Sequence, residues 1–138
     1  MKKLLTAALI ALACSLSWSL GMFTAAPAQQ TSATVPINIS TATVTELVAG
    51  VSGAAIRVTH FDVIAAGTGN FTLAYADAGS SCATNRVNLT GAYNLTAQAG
   101  IAAGGGLGAV LITPGGKALC AVTSAAVQMS GSVSYAQN

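Results

Sequence analysis

The sequence predicts an all-β fold, a single antiparallel β-sandwich of jelly-roll or immunoglobulin-like type. Three observations point there. Runs rich in Val, Ile, Thr, Tyr and Phe are too short for helices, and Gly, Asn, Asp and Ser punctuate them at regular spacing. Several runs alternate apolar and polar residues with the period of a strand that has one face buried. No heptad pattern or internal repeat competes with that reading.

Taken in order, strands are expected near Thr34–Ser40, Thr43–Ala49, Ala55–Ala65, Asn70–Ala76, Val87–Leu89, Ala92–Ala97, Ala109–Thr113, Ala118–Ser124 and Val127–Ala136. Gly50-Val51-Ser52-Gly53 separates the second from the third, and Gly67-Thr68-Gly69-Asn70 the third from the fourth. Asp77-Ala78-Gly79 closes the fourth, and Pro114-Gly115-Gly116 opens the eighth. These residue types tolerate tight turns and positive φ. Phe71, Leu73 and Tyr75 form one apolar row, and Val127, Met129, Gly131, Val133 and Tyr135 form another, opposite Gln128, Ser130, Ser132 and Ser134. The stretch QAGIAAGGGLGA, between Ala97 and Ala109, is expected to be the least structured part of the domain.

Two lysines, a long apolar run and the small-residue site Ala26-Pro27-Ala28 make residues 1–28 a secretory signal peptide, with cleavage expected after Ala28. An uncleaved anchor over Leu4–Phe23 is disfavoured by Ser15, Ser17, Ser19 and Gly21, which interrupt the run. A lipid on Cys14 is disfavoured because the residues after it stay apolar. Residues 29–34 read as a polar spacer and 35–138 as the sandwich domain, which places the protein in the periplasm or outside the cell. About 110 residues remain after cleavage, enough for one core and not for two.

Removal of Lys2 and Lys3 leaves Arg57, Arg86 and Lys117 against Glu46, Asp62 and Asp77. A formally neutral chain with so few charges has no electrostatic footprint for nucleic acid or an anionic membrane. The cysteines that remain are Cys82 and Cys120, and in an oxidising compartment an even pair most simply forms one disulfide.

The stretch VTHFDVIAAG holds the only histidine, His60, two residues before Asp62. On a strand the two share a face, which raises the prospect of a hydrolytic triad. No G-x-S-x-G elbow supplies a nucleophile, and one histidine with scattered carboxylates lacks metal-ligand spacing, so no metal or cofactor is expected. The expected reading is a polar pair on an ordinary strand, flanked by Ile56, Val58 and Ile64. Cys120 and Met129 could suggest copper, but a blue-copper site needs two histidines. Gly104 to Gly108, GGGLG, lacks the G-K-[ST] of a phosphate cradle. Asn38, Asn70, Asn88 and Asn94 open N-x-[ST] sequons and are read as turn and strand residues of a bacterial chain rich in Asn, Thr and Ser. Phe71, Tyr75, Tyr93 and Tyr135 fit sheet packing better than a carbohydrate platform, although a small secreted carbohydrate-binding module is a further alternative.

From Thr43 to Tyr135 the order TELVAGVSGAAIRV, AAGTGNFTL, LTGAYNLTAQAGI and PGGKALCAVTSAAVQMSGSVSY resembles a group of small all-β proteins of bacteriophage and prophage gene sets. The resemblance implies a decoration-like or fibre-like structural role without catalytic residues. The leader and the two cysteines depart from that group and imply an exported relative. The alternative is a pilin-like or spore-coat-U-like surface subunit, which shares the leader, a disulfide and a final alternating strand. The expected function is therefore that of an exported, non-catalytic structural or interaction protein. Its association, with itself or with a protein partner, is expected through exposed strand edges at Thr34–Ser40 and Val127–Ala136.

Overall fold

The computed structural model describes residues 32–106 and 108–138. The expected leader and residues 29–31 of the spacer lie outside the described residues. Ten strands follow: β1 Ala33–Ile39, β2 Val44–Val48, β3 Ile56–Ala65, β4 Gly69–Asp77, β5 Val87–Asn88, β6 Tyr93–Leu95, β7 Gly100–Gly104, β8 Leu111–Ile112, β9 Lys117–Thr123 and β10 Met129–Gln137. All pairings are antiparallel.

Sheet A runs β1-β10-β3, with β7 and β8 sharing the far side of β3; sheet B runs β2-β9-β4, with β5 and β6 sharing the far side of β4. β1 pairs with β10, β2 with β9, β3 with β7 and β8, and β4 with β5 and β6, so the chain is one long hairpin whose two arms stay paired. Rolling that hairpin up adds the β10–β3 and β9–β4 contacts and closes two four-position sheets over one core. This is the strand order of a jelly roll; an immunoglobulin-like sandwich does not pair its first strand with its last in this way.

The core is built from both inner faces. Sheet A contributes Ile37, Ile39, Ile56, Val58, Phe61, Val63, Met129 and Val133, and sheet B contributes Val48, Phe71, Leu73, Leu95, Leu119 and Ala121. Each large side chain removed from water here stabilises the fold by roughly 1.5–3 kcal/mol. Threonine hydroxyls complete the ladder where strands are interrupted. Thr90 Oγ1 accepts from Leu73 N at 3.0 Å across the gap between β5 and β6, and the fully buried Thr113 Oγ1 accepts from Ile56 N at 3.0 Å.

β3 does not keep one alternation along its length. Ile56 and Val58 are buried, and so are Phe61, Val63 and Ala65, so the inward phase shifts by one residue at Thr59. The register shows the cause: Ser134 pairs with His60 and Tyr135 with Val58, leaving Thr59 as the extra residue of a β-bulge. Its hydroxyl donates to Ser134 O at 3.2 Å, and its carbonyl accepts from Gly105 N at 3.1 Å. Without the bulge, His60 and Asp62 would share the core face with Ile56 and Val58.

Two expectations are corrected. β10 is not an edge; it lies between β1 and β3, hydrogen-bonded on both sides, because the last arm of the hairpin must fill the space between the first and third strands. The glycine-rich stretch is not structureless throughout, since β7 occupies Gly100–Gly104. Small residues suit this strand because neighbouring side chains lie across its backbone. A Cβ on Gly104 would meet His60 Nδ1 at 2.8 Å, and one on Gly100 would meet Ile64 Cγ1 at 3.0 Å.

The central pairing leaves no room for a side chain at Gly131, where a Cβ would lie 2.0 Å from Asp62 O. Gly131→Ala is expected to destabilise the domain by about 3 kcal/mol, as overpacking against unyielding backbone does. Gly91→Ala, at a position with nothing within 4 Å, serves as the control and leaves the urea midpoint nearly unchanged.

Candidate functional site

The bulge delivers His60 and Asp62 to the outer face of sheet A. There they join three cross-strand rows: Thr34, Ser134, His60 and Gly104; Pro36, Ser132, Asp62 and Ala102; Asn38, Ser130, Ile64 and Gly100. At ordinary strand spacings this makes an exposed patch roughly 15 Å across. β3 forms a ridge of His60, Asp62 and Ile64, and the serines of β10 form a low channel between that ridge and β1. The ridge is open to solvent, with the His60 and Asp62 side chains 46% and 39% exposed and Ile64 at 56%.

The polar groups of the face bind one another. Ser132 Oγ donates to Asp62 Oδ1 at 2.5 Å, and Thr34 Oγ1 and Ser134 Oγ share a hydrogen bond of 3.1 Å. Gln128 Nε2 donates to Asn38 Oδ1 at 2.8 Å and to Ser130 Oγ at 3.1 Å. His60 Nε2 lies 3.7 Å from Asp62 Oδ1. In a hydrolytic triad the imidazole stands between hydroxyl and carboxylate, so that it can take the hydroxyl proton. Here the carboxylate stands in the middle, and the Ser132 hydroxyl is turned to Asp62.

The outer face of sheet B is covered instead. Its strands carry small side chains outward, Ala74 and Ala76 on β4 and Ala118 and Cys120 on β9, and all four are fully buried. A segment from Ala78 to Arg86 leaves β4 and returns to β5, and Cys82 bonds to Cys120 with a Cα–Cα separation of 6.1 Å. The expected disulfide is therefore present, and it closes a loop of sequence separation 38. In the chain-entropy model such a loop stabilises the fold by roughly 4 kcal/mol.

Asp77 anchors the same segment. Its carboxylate pairs with the Lys117 ammonium and accepts from Asn85 Nδ2 at 2.7 Å. Its backbone carbonyl accepts from Ser80 Oγ at 2.6 Å, and its N–H donates to Thr84 O at 3.1 Å. The Lys117 hydrogen bond, followed by that from Asn85, holds the carboxyl below its ordinary value of 3.8.

The other sequence candidates are dispersed. Phe71 is fully buried, while Tyr93 and Tyr135 pack against the margin of the core, Tyr93 tilted against Phe61 at 6.3 Å between ring centroids. These rings form no common platform. Cys120 lies in the disulfide on the outside of sheet B, and Met129 lies in the core on sheet A. Among the described residues no three His, Cys, Asp or Glu side chains group closely enough to hold a metal ion. Missed in the sequence was the alignment of Thr34, Ser132, Ser134 and Asn38 with His60 and Asp62, for which the serine alternation of β10 was the available signal.

Fold and site together define a double-sheet jelly roll with, among the described residues, one bare outer face and one fastened outer face. No family model matches the chain, and no curated protein does. Among solved structures it is similar to a chain in "Structure of infectious bursal disease virus Gx strain", with 12% identity over 75% of this chain and 32% of that one, at a TM-score of 0.37. The chain thus spans about a third of the length of that viral chain.

Two outcomes are expected. Phe61→Ala costs about 4 kcal/mol in urea unfolding, whereas the adjacent His60→Ala stays within about 0.5 kcal/mol of the unchanged protein. Because folding lowers the Asp77 pKa, its stabilising contribution is complete above 3.8 and is lost as pH falls through the folded value. Lys117→Met removes the largest cause of that shift, so the urea midpoint of this variant varies less with pH on the acid side.

Proposed function

We propose that this is an exported, non-catalytic structural protein that associates with a second copy of itself through the outer face of sheet A. The observation that carries the reading is the internal satisfaction of that face. Hydroxyl, amide and carboxylate groups that already bind one another can be covered without stranding a donor or acceptor. Short side chains also lose little rotamer freedom on burial.

The strand edges favour the face over edge pairing. β1 is an edge, but Pro36 stands in the middle of it, and proline on a paired strand turns its donor-less nitrogen to the open side. Thr34 and Asn38 are left as the flanking donors. β2 carries a register shift between Glu46 and Val48, and the remaining edges are broken into β5 and β6 and into β7 and β8. Bulges and short strands are the ordinary means of blunting an edge.

A second copy suits the face in shape and in charge. In a two-fold arrangement the β3 ridge of one copy, with Ile64 foremost, seats in the β10 serine channel of the other. The balance of Arg57, Arg86 and Lys117 against Glu46, Asp62 and Asp77 leaves little net repulsion between copies. The disulfide suits an oxidising compartment, in keeping with export. The resemblance to phage structural proteins points to the same kind of role.

Size-exclusion chromatography with light scattering tests the proposal. A dimer or larger species is expected, converted to monomer by Ile64→Glu and unaffected by Val51→Glu, a comparably exposed apolar position outside the rows. A strict monomer at high concentration overturns it, as does ester turnover that His60→Ala abolishes.

A further inference from the structure

We infer that the Cys82–Cys120 disulfide is a redox-operated fastener, and that its reduction lifts the Ala78–Arg86 segment off sheet B while the sandwich stays folded. This does not depend on association through sheet A, since the segment covers the opposite sheet.

Apart from the bond, the described ties of the segment meet at one residue, Asp77. The fully buried side chains packed with Cys82 and Cys120 are small, Ala74 and Ala76, with only the partly buried Val44 and Val122 against them, so covering them yields less than covering Leu or Phe would. The backbone itself opposes the closed form. Ser81, Cys82 and Asn85 have φ of 49°, 66° and 51°, a left-handed conformation that carries a steric penalty for residues with a Cβ. Three such residues within five positions persist only where something fixes them, and Cys82, fixed by the bond, is one of the three. The noncovalent ties, from Ser80, Thr84 and Asn85, converge on Asp77, whose carboxylate is partly open to solvent.

Glu46 adds to the tension. It pairs in register with Cys120, and its Oε2 is shielded from water without a hydrogen-bond partner. A carboxylate oxygen in that state gains by hydration, which entry of water beside Cys120 supplies. Both sulfurs are fully buried, so an attacking thiol reaches them as the segment breathes. The exchange is balanced by a small dithiol. Its thiolate attacks one sulfur to form a mixed disulfide, and its second thiol then displaces the remaining cysteine. The dithiol leaves as a cyclic disulfide, having lost two electrons, and Cys82 and Cys120 leave as thiols with one proton each.

The strands under the segment have side-chain surface that the closed form hides. Reduction therefore changes what sheet B presents, while the ladder between β3 and β10 stays on the other side of the core. The state of one bond reports the redox poise of the compartment as a change of surface.

Hydrogen exchange read by mass spectrometry decides the matter, on the mature protein before and after treatment with dithiothreitol, with alkylation confirming two free thiols. Amides of Ala78–Arg86 are expected to exchange at least tenfold faster after reduction, including Ala83, whose N–H bonds Ser80 O when closed. Amides of β3 and β10 are expected to keep their protection. The double variant Cys82→Ala, Cys120→Ala provides the same comparison without a reductant. Unchanged protection in the segment overturns the inference, and so does loss of protection throughout the domain, which would make the bond a support of the whole fold. Resistance of the native bond to dithiothreitol overturns it as well.

Discussion

The placement of β10 between β1 and β3 is the constraint on which the rest depends. It is the pairing that joins the chain's two arms into sheet A, and it admits only glycine at position 131, where backbone meets backbone. It also sets the register in which Thr59 is the extra residue. Because that bulge reverses which residues face inward, one misfit residue decides that Phe61 enters the core and His60 and Asp62 leave it. The composition of the outer face follows from that shift.

The two outer faces are finished by different chemistry. Sheet A turns hydroxyls outward, and these bind across strands, so among the described residues the sheet meets water without a cover. Sheet B turns alanines outward, which gain nothing from water, and the chain spends a segment and a covalent bond to cover them. The covering segment contributes few large side chains of its own, which is why a disulfide is needed where elsewhere packing suffices. Asp77 and Lys117, paired in register at the end of β4 and the start of β9, mark where that cover begins.

Sequence patterning revealed most strands because period-two alternation and turn residues are local signals. The Phe71, Leu73 and Tyr75 row and the serine alternation of β10 read directly. The disulfide was legible from arithmetic alone, two cysteines left once the expected leader is set aside. Other features were hidden because they depend on partners distant in sequence. The bulge at Thr59 breaks the alternation without any glycine or proline to announce it. The chain terminus suggested an edge, yet which strand lies at an edge is a property of the whole sheet. β7 is not legible in the sequence because glycine normally weakens a strand, and only the overlying His60 and Ile64 side chains explain its preference there. His60 and Asp62 were correctly placed on one face together, but their union with Ser132 needed the β10 register.

The joining of β1 to β10 has a kinetic consequence as well. Thr34 and Ser134 touch although 100 positions separate them, and sheet A lacks a central member until the C-terminal strand exists. Topologies dominated by such distant pairings fold slowly, because loop-closure entropy is spent before the contacts form. A chain emerging from its N-terminus therefore cannot complete the sandwich early, and it remains pliable until synthesis ends. That delay leaves closure of the roll to the arrival of β10.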